Sequence, residues 1–412
     1  MSAHIARIRS TLAALAVILV ATLAIPVTAT AAGPTVIGVD GTTVPLPINL
    51  TDSVLNFNQG EYLNQPGYNV IMSDYPRSFG ILTLGGPNYD DSVASGVAGA
   101  SSYIKLAQDG DSSVPVKLVC LSQGSDVCTQ TNDQLQAAGY DQSGVTYVLL
   151  GNVRNADGGL KTRIPYIGDK GIFVPGPGVT LGNATPTAGS DATIIQVSYE
   201  YDGFARAPRY PINLLADINA AAGSALEHGN YRNADPYAPD NIVSTTSDGK
   251  ITNIVIPVNE VPLLTVARAV GLPKPVAEVV NPTLKAVIDT GYDPIPEGTG
   301  AYPTEAKPFK ILPSEKKFRE DVENVKTGIR ESDKKFRETL ESVAPKLSIP
   351  RERPKPKLDQ LAISALSDVR KTIHDTVGNI AKTTRPRKTD NGDKRSDNDK
   401  PASSTDSGLD RP

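Results

Sequence analysis

Val116-Lys117-Leu118-Val119-Cys120-Leu121-Ser122-Gln123-Gly124 runs from an apolar stretch of strand type straight into a segment with helical patterning. A strand, a tight turn and a helix in that order form the setting of a G-x-S-x-G nucleophile elbow. The turn lifts the serine hydroxyl above the sheet edge, and the new helix aims its N-terminal amides at a developing oxyanion. Cys120 stands where the motif has its first glycine, and it is small enough to let strand and helix approach. Taken alone, Ser122 reads equally well as the N-cap of an ordinary helix.

Working outward from the elbow, apolar and β-branched runs at 34–39, 68–72, 116–121, 145–150, 193–199 and 251–257 predict strands. Helical patterns at 91–108, 124–138 and 212–225 fill the gaps between them. Strands alternating with helices indicate a parallel sheet flanked by helices, and near-continuous apolar strands are those covered on both faces. The fold class is therefore α/β, with an α/β-hydrolase-type parallel sheet.

A serine nucleophile of this kind needs an imidazole base. The whole chain contains His4, His228 and His374. His4 lies in the N-terminal apolar segment and His374 in the charged C-terminal region, so the central domain offers His228, at a helix end entering a Gly-containing loop. The third member orients that imidazole and stabilises its positive charge. Asp202 follows the strand at 193–199 in Tyr199-Glu200-Tyr201-Asp202-Gly203 and fits the chain order serine, acid, histidine. Glu200 is the rival acid, and Asp202 also suits a simple Asp-Gly turn. The backbone N–H of Gln123, next after the nucleophile, is the expected first oxyanion donor. No cofactor or metal is required by such a site. Cys120 and Cys128, the two cysteines, form neither a C-x-x-C pair nor a group with histidine, which argues against zinc.

The chain has 412 residues and a formal net charge of −4, so no strong basic field exists to hold nucleic acid. At the N-terminus Arg7 and Arg9 precede an apolar run at 12–25 and then Ala29-Thr30-Ala31. That is the layout of a secretory signal with an A-x-A cleavage site; the same stretch also approaches the length of a membrane anchor, and a buried helix is the third reading. The first two place the protein outside the cytoplasm: secreted, in the cell envelope, or membrane-anchored and facing outward. In such a compartment Cys120 and Cys128 are candidates for a disulfide, provided the helix after the elbow runs close enough to its strand.

Beyond residue 302 the composition turns to Lys and Glu. Glu315-Lys316-Lys317-Phe318-Arg319-Glu320 recurs as Asp333-Lys334-Lys335-Phe336-Arg337-Glu338, an offset of five helical turns at about 3.6 residues each. Phe318, Val322, Val325, Ile329, Phe336, Leu340 and Val343 make one apolar stripe, and residues between 358 and 380 make a second. These C-terminal amphipathic helices either pack on the domain or dock on a protein partner or a membrane. The composition of 383–412 predicts a disordered tail. The expected organisation is thus a signal peptide or anchor at 1–32, a hydrolase domain at 33–302, a charged helical extension at 303–382 and the tail. Within the domain, the extended runs at 242–246 and 251–257 around Asp248-Gly249 predict a hairpin. With Val261-Pro262-Leu263-Leu264 it either walls the active site or forms an edge strand and a packing helix.

Over residues 33–270 the chain resembles the PE-PPE-domain serine hydrolases of mycobacteria, which are similar to cutinases. The resemblance is carried by Ser73-Asp74-Tyr75-Pro76, Tyr89-Asp90-Asp91-Ser92-Val93, Leu121-Ser122-Gln123-Gly124, and Gly151-Asn152-Val153-Arg154 leading into Asp157-Gly158-Gly159-Leu160. It continues through Tyr201-Asp202-Gly203-Phe204-Ala205 and Tyr210-Pro211-Ile212-Asn213-Leu214-Leu215 to His228 with Tyr231. The resemblance implies a Ser122-Asp202-His228 triad, esterase or acyl-transfer chemistry on lipid or glycolipid acyl esters, and an exported or envelope setting. For members with an N-terminal hydrophobic segment it implies acyl transfer between trehalose-based glycolipids. Gly41-Thr42 resembles the cutinase Gly-Ser at the oxyanion hole and makes Thr42 the second expected donor. Two positions depart from the family pattern: Cys120, and Arg206 where an Asp is common. If that second acid were the working one, the chain would be a catalytically silent envelope-binding or scaffolding relative.

Overall fold

The computed structural model describes residues 32–43, 54, 57–58, 65–164, 171–182, 184–185 and 189–343. The N-terminal apolar segment, the second apolar stripe and the tail lie outside these residues. Among those described, no helix is long and apolar enough to cross a membrane.

The strands are β1 (Thr35–Val39), β2 (Asn69–Met72), β3 (Val116–Leu121), β4 (Val145–Leu150), β5 (Ile172–Val174), β6 (Val179–Leu181), β7 (Thr193–Tyr199), β8 (Ile242–Thr245), β9 (Ile251–Ile256) and β10 (Gly298–Thr299). The helices are α1 (Tyr89–Gln108), α2 (Gln123–Ala137), α3 (Leu214–Leu226), α4 (Pro262–Ala269), α5 (Lys274–Asp289) and α6 (Glu315–Val343). Eight strands form one sheet in the order β10-β8-β9-β7-β4-β3-β1-β2, while β5 and β6 pair separately. Every pairing in the large sheet is parallel except β8 with β9. This is the α/β-hydrolase-type architecture expected from the alternating pattern.

Both faces are covered. Leu118 and Cys120 of β3 pack with Val93, Ile104, Val127 and Leu135 from α1 and α2. Val119 and Leu121, pointing the other way along the same strand, join Val148, Leu150, Val197, Phe57 and Tyr231. Two-sided burial is why β3 reads as an unbroken apolar run.

The strand order places the site. From β1 the chain crosses to β2 on one side, whereas β3 and β4 lie on the other. Connections leaving β1 and β3 therefore diverge and open a crevice at the carboxyl ends of these two strands. Residues 40–43 and Ser122 both lie there.

The β8–β9 hairpin forms as predicted and the expected packing helix is α4, but β9 is not the expected edge strand. β9 lies inside the sheet between β8 and β7, so it does not end the sheet. Leu264 of α4 is buried with Tyr201, Val261, Ile288 and Tyr292. The apolar character of this stretch is core packing.

Candidate active site

Ser122 is in left-handed backbone geometry, with φ 54° and ψ −115°, directly between β3 and α2. A non-glycine residue in such a region costs about 1–3 kcal/mol and persists where its surroundings over-determine it. Those surroundings are visible. The Ser122 amide donates to the Leu150 carbonyl at 2.9 Å. The Ser125 hydroxyl holds the Cys120 carbonyl at 2.8 Å and the Leu150 carbonyl at 2.9 Å. Gly124 lets the first turn of α2 press onto β1, because a Cβ there would lie 2.0 Å from the Val39 carbonyl oxygen. Cys120, in place of the first motif glycine, is disulfide-bonded to Cys128 with a Cα separation of 6.5 Å. The strand and its covering helix thus come within bridging distance across the elbow.

Asp202 and His228 meet directly. His228 Nδ1 lies 2.9 Å and 2.8 Å from the two carboxylate oxygens of Asp202. The Tyr231 hydroxyl donates to Asp202 Oδ2 at 2.8 Å. The amides of Phe204 and Ala205 donate to Oδ1 at 3.0 Å and 3.3 Å, so the Asp-Gly turn and the contact with His228 coexist. Complete burial alone would raise the Asp202 carboxyl, but His228 and these hydrogen bonds outweigh it and hold the carboxyl below its ordinary range. Tyr231 supports the carboxylate through a contact across 29 residues that no local sequence pattern signals. Burial and the Asp202 charge push its hydroxyl well above its usual value, which keeps it a donor.

The other imidazole nitrogen, Nε2 of His228, is buried and has no hydrogen-bond partner among the described residues. The ring lies against Gly151 at the end of β4, where a Cβ would sit 2.7 Å from His228 Cε1. Gly151 directly follows Leu150, whose carbonyl receives the Ser122 amide, so His228 and the elbow are seated on one strand end. The Phe204 ring covers the imidazole at 4.6 Å between centroids.

Glu200, the rival acid, is committed elsewhere. Its carboxylate pairs with Lys285 and accepts the Val258 amide at 3.1 Å. Arg206 is likewise accounted for: its guanidinium forms a buried ion pair with Asp157, which Lys307 also approaches at 3.2 Å. The acid facing His228 is Asp202, so the departure at Arg206 leaves the pair intact.

On the oxyanion side, the Gln123 side chain donates from Nε2 to the Ser78 carbonyl at 2.8 Å and accepts from Ser92 at 3.2 Å. That fixes the first residue of α2, whose amide is unpaired within the helix. Gly41 touches the elbow, since a Cβ there would be 3.0 Å from Cβ of Ser122. Thr42 is the next residue, half-buried. Deeper in α2, Asp126 is fully buried between Arg154 and Lys161 and accepts the Tyr89 hydroxyl at 3.0 Å. Burial would raise its carboxyl, but the two cations reverse this and hold it well below the ordinary range. Arg154 of the Gly151-Asn152-Val153-Arg154 motif therefore anchors α2, the helix that follows Ser122. Among the described residues no cluster of His, Cys, Asp or Glu is suited to a metal ion.

A family model described as the PE-PPE domain matches residues 66–293, more than half of the chain. Esterase PE16 of Mycobacterium tuberculosis is 33% identical over 239 residues, covering 55% of this chain and 43% of that protein. SL1278 acyltransferase Chp1 and Diacyltrehalose acyltransferase Chp2 of the same organism are 29% and 28% identical, covering 62% and 56% of this chain and 63% and 69% of their own lengths. The chain thus spans less than half the length of the esterase. Among solved structures, a cutinase-like protein from Cryptococcus sp. aligns with 50% of this chain at 18% identity and a TM-score of 0.30. The match to the family model over most of the folded region establishes that this chain belongs to the PE-PPE domain family.

Proposed function

We propose that the protein is a serine-dependent esterase or acyltransferase that works through an acyl-enzyme on Ser122. One observation carries the reading: a buried Asp202–His228 pair whose second imidazole nitrogen is unpartnered and which is seated on the strand end that also holds the Ser122 elbow. In the first step His228 Nε2 takes the Ser122 hydroxyl proton as Oγ bonds to the acyl carbon. Asp202 offsets the imidazolium charge, and the amides of Gln123 and Thr42 receive the negative carbonyl oxygen. The tetrahedral species collapses, the alkoxy group leaves with the proton from His228, and the acyl group stays on Ser122. In the second step His228 deprotonates an incoming water or sugar hydroxyl as it attacks the acyl carbon, and then returns that proton to Ser122 Oγ as the acyl–serine bond breaks, which regenerates both residues.

The activities for which the relatives are named, an esterase and two acyltransferases, support acyl esters of envelope lipids as the substrate class, trehalose glycolipids among them. The acceptor decides between hydrolysis and transfer. The N-terminal apolar segment supports an exported protein, at or near the membrane. Arg206 was the feature favouring a silent relative, and its pairing with Asp157 removes that support.

The test is labelling with a tagged fluorophosphonate. The wild type is expected to label and Ser122→Ala to remain unlabelled; equal labelling of both refutes the serine assignment. Incubation with an acylated trehalose and an acceptor sugar then separates transfer, which gives a new ester, from hydrolysis, which gives free acid.

A further inference from the structure

The segment at 40–43 after β1 is tied down at successive carbonyls. The Tyr75 hydroxyl donates to the Asp40 carbonyl at 2.5 Å, and Arg77 Nε donates to the Gly41 carbonyl at 2.7 Å. The Thr43 amide donates to the Arg77 carbonyl at 2.9 Å. Arg77 Nη1 also faces the Asp40 carboxylate at 3.4 Å, and that carboxylate accepts the Val54 amide at 2.8 Å. Arg77 thus grips the segment through its side chain and its backbone together. It does so from a left-handed conformation, φ 52°, which a non-glycine residue rarely adopts. Strained residues of this kind persist where the surrounding contacts hold them, and they cluster at functional sites.

The peptide that Arg77 grips is the one packed on the nucleophile. Gly41 abuts Ser122, where a Cβ would come within 3.0 Å of the Ser122 Cβ and 3.1 Å of the Leu121 carbonyl oxygen. In a planar trans peptide the C=O and N–H bonds point in opposite directions. Holding the Gly41 carbonyl on Arg77 therefore turns the Thr42 N–H, which belongs to the same peptide unit, away from Arg77.

We propose that Arg77 is a positioning residue of the oxyanion hole: by holding the Gly41 carbonyl it fixes the direction of the Thr42 N–H donor beside Ser122. The inference rests on the acyl-enzyme reading above and adds to it the group that preorganises the second donor. Arg77 touches no reacting atom. Its effect appears where the oxyanion forms, in kcat, and not in binding of the neutral ester, because a fixed donor is worth most to the charge that develops in the transition state.

The experiment compares wild type, Arg77→Gln, Arg77→Lys and Arg77→Ala on a chromogenic acyl ester, with melting temperatures measured alongside. Loss of an oxyanion donor costs about 10²–10³ in kcat, so a donor that is present but no longer held is expected to cost about 10–100-fold. In Arg77→Gln, kcat falls by about that factor with KM changed less than about twofold, and added guanidinium ion restores part of kcat in Arg77→Ala. Arg77→Lys keeps the charge facing Asp40 but loses the planar Nε donor. It carries the test if the Gln variant does not fold, and its kcat is expected to fall with the melting temperature preserved. A labelled, Ser122-dependent wild type whose folded Arg77 variants keep kcat within about twofold overturns this inference alone. A wild type that takes no fluorophosphonate label overturns the acyl-enzyme reading and this inference with it.

Discussion

Asp202 accepts hydrogen bonds from His228, Tyr231 and two backbone amides while completely buried. A carboxylate so surrounded stays ionised beside the imidazole, and its replacement by the isosteric amide leaves shape intact while removing the charge that stabilises the imidazolium. Asp202→Asn is therefore expected to fold normally and to lose turnover by roughly 10⁴ on the scale of the best-studied triad. Steady-state kinetics with a melting curve checks this, and full activity would reassign the acid. Glu227, next to His228 in the chain, behaves oppositely. Burial and then the Asp202 charge push its carboxyl up to about 8, with the Tyr201 amide opposing, Glu200 adding to the rise, and Lys285 opposing. Tyr199 and Tyr292 also face it. The folded protein thus holds the Glu227 proton more tightly than the unfolded chain does. Its contribution to stability is complete below an ordinary carboxyl value of about 4.5 and is lost as pH rises through about 8. Glu227→Gln keeps an acceptor for the Tyr201 amide and removes the titration. From pH 5 to 8 wild-type stability is expected to fall relative to the variant, by on the order of a few kcal/mol, and the difference then levels off. Urea denaturation across that range measures it, and parallel profiles would exclude the effect.

At the scale of elements, β3 and α2 are joined twice, by the elbow and by the Cys120–Cys128 disulfide. A loop of this length closed by a disulfide contributes about 2.5 kcal/mol in the chain-entropy account. The unreduced protein is expected to show no alkylatable thiol by mass spectrometry, and replacing both cysteines with Ala to lower stability by about that amount. Two free thiols before reduction would refute the bridge. The central strands and the elbow were legible in the sequence because two-sided burial writes itself as continuous apolar runs. The Asp202–His228 contact was legible because a single histidine in the central domain left little choice of partner. The β5–β6 hairpin was not, since strands of three residues are too short to show a period. The long-range partners were not legible either. Tyr231 on Asp202 and Arg77 on Gly41 are contacts across 29 and 36 residues, and no local pattern encodes them. Nor could β-branched runs around an Asp-Gly turn tell an inner hairpin from a wall, because both bury apolar side chains.

For the whole molecule, the expected boundary at 302 falls inside a woven region. The Tyr302 hydroxyl is buried and accepts the Gln196 side-chain amide at 2.5 Å. The amides of Phe309 and Lys310 donate to the carbonyls of Arg163 and Arg209 at 2.7 Å and 2.9 Å, strapping the following chain onto the domain. At the start of α6, Lys317 pairs with Asp321 at 2.7 Å and sits over the Tyr210 ring. α6 then packs on α5, which carries Pro282 inside it, where a proline lacks the amide for the helical hydrogen bond. α6 supplies contacts at this interruption: the Ser332 hydroxyl accepts the Thr283 amide at 3.2 Å, and the Thr283 hydroxyl lies 2.8 Å from it. Of the apolar stripe, Val325 and Ile329 are buried, whereas Phe336 and Leu340 are 48% and 50% exposed. The first half of the stripe is therefore part of the domain's packing. Gly328 makes the close approach possible, because a Cβ there would lie 2.6 Å from the Pro282 carbonyl oxygen and 2.9 Å from Cβ of Ala286. Backbone cannot yield there as a flexible side chain would. Gly328→Val is expected to lower stability by about 1–3 kcal/mol through overpacking and to open α6 to limited proteolysis. Phe336→Ser, on the exposed half, should stay within about 0.5 kcal/mol of wild type. If Gly328→Val melts at the wild-type temperature and keeps its protease resistance, α6 is an independent appendage and the packing on α5 does not hold it.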